Sequence, residues 1–321
     1  MILACGEALI DMVPKTFPEG ETLFLPCPGG SPYNTAIAIG RLGVPAAFFG
    51  RLSTDFFGET LIRRLSQNTV RTDLIVRSNE TTTLAFVKLE NGREPQYIFY
   101  THGSADRSLT QADLPASLPQ DTRCILFGSI SLTMEPVASS IETLIRREGK
   151  RGKDAPVISL DPNVRPFMIP HREAYVKRFE GWAADAVIVK ISEADCDFMY
   201  PGLGVEKSAA RILSLGPLLA VTTLGPLGAA ALLKREDGTV LRVTAPVVEV
   251  PVVDTIGAGD TFHGAFLAYL ELHGRMSRQF IPALTEEELY DALFFANKAA
   301  SLVCSRRGAE PPTFAEMEAF V

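Results

Sequence analysis

The feature that most constrains this chain is an alternation of short, almost uniformly apolar runs with stretches of helical periodicity. The runs are Ile2–Leu9, Ala46–Gly50, Cys124–Phe127, Val157–Leu160, Ala186–Val189 and Leu218–Thr222. Between most of them lie Tyr33–Leu42, Gly58–Gln67, Pro136–Arg147 and Glu206–Leu215, which read as helices with one apolar face. Strands without polar alternation must be covered on both sides, so they predict a parallel sheet flanked by helices and joined by right-handed crossovers. The expectation is a single α/β domain over residues 1–321: a three-layer α/β/α sandwich with a mostly parallel central sheet. A hydrophobic fraction of 46% in 321 residues supplies the core such layers need.

Two segments break the alternation, Thr22–Pro26 and Thr83–Thr101, within excursions at approximately 12–28 and 83–104. The second contains LAFVKLENGREPQYIFY, where Asn91-Gly92 is a hairpin signal between two alternating arms. A β-lid over a site, a dimer surface and a purely structural flap all fit this pattern.

Charge and cysteine usage exclude several function classes. The net charge of −7, from 31 basic and 38 acidic residues, argues against a broad nucleic-acid footprint. Cys5, Cys27, Cys124, Cys196 and Cys304 form no CxxC pair and read as free thiols in a reducing cytosol, so a cytoplasmic location is expected. The opening MILACGEALIDM lacks a basic leader and carries Glu7 and Asp11, as a buried strand does and a signal peptide does not. Gly216–Leu233 lies in the longest uncharged stretch, but its two Pro and three Gly residues fit a pair of strands better than a membrane helix.

In open parallel sheets, ligands bind beyond the carboxyl ends of the strands. Asp11, Asp161, Asn163, Lys190, Ser192, Thr223 and Asp254 follow predicted strands and therefore carry the functional weight. The most informative segment is VVDTIGAGDTFHGAFLAYLEL, Val252 to Leu272. After Asp260, apolar residues at Phe262, Ala265, Phe266, Tyr269 and Leu270 follow helical spacing. Gly257, Ala258 and Gly259 just before them leave free backbone N–H groups at a helix N-terminus, a ready phosphate site. A carboxylate there would repel phosphate unless its work is to take a proton from an attacking hydroxyl while the loop amides hold the transferred group. Asp260 as a first-turn cap is the competing reading. The chain contains no GxxxxGK[ST] loop.

An earlier element, PGGSPYNTAIAIGRLG, places Gly30 where backbone can approach a ligand and Asn34 at a helix start. The Asn34 amide suits sugar hydroxyls, or equally a helix N-cap. Asp11 after the first strand suits two vicinal hydroxyls, or is a solvated loop acid. Arg165, in DPNVRP, either clamps a substrate anion or pairs with Asp161. His263 is expected to pack rather than react, and His102 lies in the lid segment.

The early GG…N element and the late DTxGAGD element together resemble the PfkB (ribokinase-like) family of carbohydrate kinases, and within it the bacterial fructokinases. The similarity covers nearly the whole chain, including GEALIDM, TLAFVKL, DPNVRP, the TLGPLG turn at Thr223–Gly228 and NKAAS at Asn297–Ser301. It implies a ribokinase-like fold with a β-lid, ATP with Mg2+, and a K+ ion as a further candidate. It implies Asp260 as catalytic base, with Gly257, Ala258 and Gly259 as the anion hole. Asp11, Gly30 and Asn34 match sugar-contacting positions, and Tyr100 in the lid and Arg165 are further substrate candidates. Thr223, Gly225 and Gly228 match the turn along the nucleotide, and Asn297 a helix residue near adenine. Lys190 and Ser192, with Glu193 and Asp195, fall on the motif near the phosphates and magnesium. Asp254 and Ile256, with backbone near Val303, Arg306 and Gly308, match a monovalent-cation site.

Two departures bear on these assignments. The phosphate-side motif often reads N-x-x-E, whereas this chain has Ser192-Glu193-Ala194-Asp195, and Pro312 stands where a small hydroxyl residue is common. The expected reaction is ATP-dependent phosphorylation of a sugar primary hydroxyl, D-fructose to fructose 6-phosphate. A 2-keto-3-deoxygluconate kinase is the nearest alternative, although Phe99-Tyr100-Thr101 lacks the lid Arg such enzymes commonly carry. A non-catalytic sugar or nucleotide sensor is the alternative of another class. The partners expected are small molecules, with neither nucleic acid nor membrane, and a homodimer through the lid.

Overall fold

The computed structural model describes residues 1–16, 21–88 and 96–320. The described strands are β1 (Ile2–Cys5), β2 (Leu9–Thr16), β3 (Thr22–Gly29), β4 (Ala46–Phe49), β5 (Arg51–Ser53), β6 (Val70–Arg71), β7 (Val76–Ser78), β8 (Leu84–Lys88), β9 (Gln96–Tyr100), β10 (Cys124–Gly128), β11 (Val157–Asp161), β12 (Ile188–Ser192), β13 (Leu219–Thr223), β14 (Ala229–Lys234) and β15 (Val240–Ala245). The described helices are α1 (Ser31–Arg41), α2 (Phe56–Gln67), α3 (Val137–Gly149), α4 (Arg172–Asp185), α5 (Glu193–Met199), α6 (Val205–Leu215), α7 (Ala258–Leu272), α8 (Glu286–Cys304) and α9 (Phe314–Ala319).

Nine strands form one sheet in the order β15-β14-β13-β12-β11-β10-β1-β4-β6, parallel from β6 to β13 and antiparallel through β14 and β15. The uniformly apolar runs form its interior: β1, β4, β10 and β11 are buried at every residue. One apolar core lies between the sheet and α1, α2, α7 and α8, and a second between the sheet and α3, α4 and α6. This is the expected ribokinase-like three-layer α/β/α arrangement. The Gly216–Leu233 stretch supplies β13 and β14, and no described helix is long and apolar enough to cross a membrane.

Boundaries differ where backbone geometry overrides hydropathy. The run Ile2–Leu9 is broken at Gly6 (φ 151°), which ends β1 and lets the chain leave the central sheet as β2. A Cβ at Gly6 would lie 2.6 Å from the Pro32 ring, so the start of α1 can pack against this break.

The excursions combine into a separate four-stranded sheet, β3-β2-β8-β9. Asn91-Gly92 lies outside the described residues. At the root of this sheet, the buried Asp106 accepts hydrogen bonds from Thr83 Oγ1 (2.6 Å) and Ser104 Oγ (2.7 Å), joining the chain entering β8 to the chain leaving β9.

Helix α7 is almost wholly buried, packed between α1, α8 and the sheet. It crosses α1 closely at Gly264, where a Cβ would sit 2.9 Å from Ala38 Cβ and 3.0 Å from Thr35 O. This crossing brings the N-terminus of α7, with Asp260, against the N-terminus of α1.

Candidate active site

Gly257 precedes α7 in the left-handed conformation (φ 75°), which a side chain would strain, and a Cβ there would lie 2.7 Å from Ala309 Cβ. Ala258 and Gly259 begin the helix, and no side chain caps its N-terminus. Ala258 N bonds Thr255 O (3.2 Å), and the other N–H groups of this first turn, with the dipole, are left for an anion. Asp260 occupies the third position and is 8% exposed. Its Oδ1 accepts a hydrogen bond from Ser31 Oγ at 2.6 Å and its Oδ2 one from Asn34 Nδ2 at 2.9 Å. Burial raises its proton affinity, and those two donors oppose the rise. Asp260 therefore does not serve as a helix cap: its bonds run to α1.

Across the same space lies a buried cation. Lys190 Nζ, from the middle of β12, pairs at 2.9 Å with Oδ2 of Asp161, the last residue of the neighbouring β11. A Cβ on Gly259 would be 3.2 Å from this ammonium. Burial alone would lower its pKa, but the field of Asp161, with Asp195 and Asp260 behind it, keeps it above the ordinary value. The anion site thus has helix amides on one side and a fixed positive charge on the other. His263, one turn along α7, meets Ser159 Oγ at 2.7 Å, and burial drops its pKa to about 3, leaving it neutral. It packs, as expected.

Several expected roles are changed by these contacts. Asn34 is not an N-cap, because Gly30 holds that position, and its amide nitrogen is engaged by Asp260. Gly30 (φ 111°) is required by the fold itself: a Cβ would lie 2.7 Å from Glu7 O. The Arg165–Asp161 pairing is not formed, since Lys190 takes Asp161 and Arg165 bonds Asn163 Oδ1 (2.7 Å) and Val164 O (3.1 Å). Asp195 is buried in a capping box with Ser192 and also accepts from Val164 N at 2.8 Å, so its carboxylate organises this corner rather than facing out to a metal. Glu193 beside it is exposed. Asn297 is buried, and its amide donates to Ala245 O (2.9 Å) and Pro246 O (3.0 Å), tying α8 to the end of β15.

The lid sheet supplies the opposite wall. Asp11 pairs in register with Cys27 and Ala85, and Ala85 with Phe99, so these side chains share one face with Tyr97, two residues from Phe99. Tyr97 and Phe99 stack on Phe167 of the segment after β11, at 6.4 and 5.7 Å between ring centres. Tyr100 stands on the other face, 62% exposed and edge-on to Phe86, which corrects its expected place beside the substrate. Asp11 feels burial first, then the opposing attraction of Arg165 and the repulsion of Asp260, and its pKa rises to about 6. It is not a solvated loop acid.

The nucleotide-side turn is well defined. Thr223 ends β13, and Gly225–Leu227 form a single 3-10 turn. Gly228 (φ 93°) could bear no side chain, because a Cβ would fall 2.1 Å from Ala245 O. At the cation loop, Asp254 Oδ1 accepts from Ile256 N (3.0 Å) and Oδ2 from Gly308 N (2.9 Å), while Cys304 O accepts from Val253 N (2.8 Å). The last turn of α8 with Val303, and the stretch after it with Arg306 and Gly308, are thereby joined to the stretch before Gly257. Among the described residues, no group of three or more His, Cys, Asp or Glu side chains is arranged to hold a metal.

Three contributors were not foreseen. Ser31 was hidden between Gly30 and Asn34 as a common helix-start residue. The Asp161–Lys190 pair was legible only as two separate strand-end residues. Tyr97 and Phe99 were within reach of sequence reasoning, because period-two alternation along β9 sets them apart from Tyr100.

Comparison with known proteins agrees with this geometry. The pfkB family carbohydrate kinase profile matches residues 3–315. A fructokinase of Rhizobium leguminosarum bv. trifolii is 41% identical over 289 residues, covering 90% of this chain and 85% of the relative. A fructokinase structure with bound ATP from Xylella fastidiosa superposes with a TM-score of 0.88 at 28% identity, covering 99% of this chain and 97% of that one. A double-mutant fructokinase from Vibrio cholerae O395 bound to fructose, ADP and potassium gives 0.82 at 28% identity, with the same coverage. A carboxylate at an uncapped helix start, a buried lysine beside it and a match running almost from end to end lead to one conclusion: the chain belongs to the pfkB family of carbohydrate kinases.

Proposed function

We propose that the chain is a fructokinase, transferring the γ-phosphoryl group of ATP to the 6-hydroxyl of D-fructose within a single catalytic unit spanning residues 1–321. The observation that carries the mechanism is the buried Asp260, held by α1 at the free N-terminus of α7 with Lys190 across from it. Asp260 takes the proton of the attacking hydroxyl as the new O–P bond forms and the bond to the ADP oxygen breaks. The amides at Gly257, Ala258 and Gly259, with Lys190, hold the charge of the group in flight. Asp11 and Asn34 bind the sugar, Asn34 sharing its amide with Asp260. The Tyr97–Phe99–Phe167 wall covers the sugar from the lid side and keeps out water, the competing acceptor. The Thr223–Gly228 turn lies along the nucleotide.

The donor set fits magnesium held chiefly by substrate phosphates and water, with exposed Glu193 at the rim, since Mg2+ rarely takes an all-protein cage. When bound, it neutralises phosphate charge. The backbone around Asp254, Ile256, Val303, Arg306 and Gly308 fits a potassium ion, which would brace the same two stretches that Asp254 already joins. Apolar exposure on the lid's outer face, at Phe24, Ile98 and Tyr100, supports a homodimer through the lid. The thiol set and charge support a cytoplasmic enzyme without nucleic-acid or membrane partners.

Arg165, close enough to Asp11 to influence its ionisation, favours one rival acceptor, the carboxylate sugar 2-keto-3-deoxygluconate. An ADP-release panel of fructose, 2-keto-3-deoxygluconate, ribose and adenosine decides between acceptors, and saturable binding without ADP release would point to a sensor. Asp260→Asn should lower turnover about 10²–10⁴-fold while calorimetry still detects ATP and sugar binding. Near-normal turnover in that variant sinks the mechanism. Sedimentation of the wild type at micromolar concentration reads the oligomeric state, and a monomer there removes the lid dimer.

A further inference from the structure

The base is supported by a chain of contacts that begins beside the N-terminus of α1. Glu7, fully buried after β1, accepts hydrogen bonds from Ser31 N and Ser131 N, both at 3.2 Å, and from the Ser131 hydroxyl. Its own N–H donates to Ser131 Oγ at 2.8 Å. Ser31 is the first residue of α1, so an anchored carboxylate faces the helix start and fixes the residue whose hydroxyl donates to Asp260. Alanine at this position would satisfy the helix equally well. The hydroxyl therefore has no local structural work beyond its bond to the base, apart from its contribution to the polar satisfaction of the buried carboxylate.

Resting on the kinase reading above, we propose that Ser31 is a positioning residue for phosphoryl transfer: braced by Glu7, its hydroxyl aims Asp260 and holds it in the proton-accepting form. The groups facing Asp260 are Lys190 and Asp161 from β12 and β11, Asp11 from β2, and Ser31 and Asn34 from α1. Among these, Lys190 and the two α1 donors favour the ionised base, and Asp161 and Asp11 oppose it. The Ser31 contact is the shorter of the two donor contacts. Its loss leaves Oδ1 free to rotate out of line as well as easier to protonate.

The test is the pH profile of Ser31→Ala, with Ser31→Thr as the conservative rescue. Losing a donor to a charged acceptor moves the acidic limb of kcat/KM to higher pH by on the order of one unit, so activity below the limb falls about 10-fold. Ser31→Thr returns the limb towards the wild type. A loss of folded protein alone would scale activity at every pH without moving the limb. Carboxyl-carbon NMR of the substrate-free protein, with Asp260→Asn as the assignment control, follows the same titration without any turnover, so it stands even if the acceptor sugar is misassigned. Should Ser31→Ala yield too little folded protein, Ser31→Cys, a weak donor, shifts the NMR midpoint in the same direction. An Asp260 midpoint unmoved in the Ala or Cys variant, or moved equally in the Thr variant, overturns the proposal.

Discussion

The closeness of α1 and α7 gives a way to move the base without touching it. Gly264 lies one helical turn beyond Asp260, where a Cβ would meet Ala38 Cβ at 2.9 Å and Thr35 O at 3.0 Å. Ordinary contact begins near 3.4 Å, so Gly264→Ala falls short by 3.4 less 2.9 Å, about 0.5 Å. Both opposing atoms belong to a buried helix, so the helices must part rather than a side chain swing away. Overpacking of this kind costs about 1–3 kcal/mol. Parted by half an ångström, Asn34 Nδ2 would move from 2.9 Å towards the long end of the hydrogen-bond range, and Ser31 Oγ likewise. A misplacement of about 1 Å can cost 10²-fold in rate, so half that distance predicts a fall in kcat of about 10-fold. ADP release at saturating ATP and sugar measures kcat, and urea unfolding measures the stability loss. A variant destabilised as stated but with kcat within twofold of wild type would refute the claim that this crossing positions the base.

Two further outcomes follow from the lid wall and from Asp11. Phe167→Ala removes both stacking contacts to Tyr97 and Phe99, each worth about 0.5–1.5 kcal/mol, and should raise KM for the sugar several-fold with KM for ATP unchanged, read by steady-state kinetics. Asp11 has a folded-state pKa of about 6, above its ordinary 3.8, so the native protein binds the extra proton and Asp11 costs stability as pH rises through that window. Asp11→Asn should therefore raise Tm by a few degrees at pH 8 and leave it unchanged at pH 4, while weakening sugar binding. The reverse pH dependence in thermal scans would contradict the burial of this carboxylate.

The central sheet was legible because its strands carry one signal, unbroken hydropathy, and its helices another, and neither depends on distant residues. The break of the first run at Gly6 was not, since it reflects the approach of Pro32 from α1. The late motif correctly located Asp260 and the residues before it at a helix start, because that is local chemistry. What escaped was pairing across elements. Lys190 and Asp161 meet only because β11 and β12 are neighbours, and Ser31 gains a role only where α1 crosses α7. The same cause explains the contacts of Asn297 and Asp195. Each looked free in sequence and is engaged by backbone that the fold brings to it.

The reversal of direction at the sheet's edge has a consequence for access. Parallel strands need a long crossover, usually a helix, which leaves the end of one strand and returns across a face of the sheet. Between β13 and β14 the chain instead turns within the five residues from Leu224 to Gly228, and β15 then climbs back to the same end. Leu224 N bonds Gly228 O across the turn, so the connection closes on itself. The ends of β13 and β15 therefore lie at one end of the sheet, and the Ala245–Asn297 bond ties α8 to that end. On the kinase reading proposed above, a nucleoside triphosphate lies along this short turn, apart from the lid strands that face the sugar.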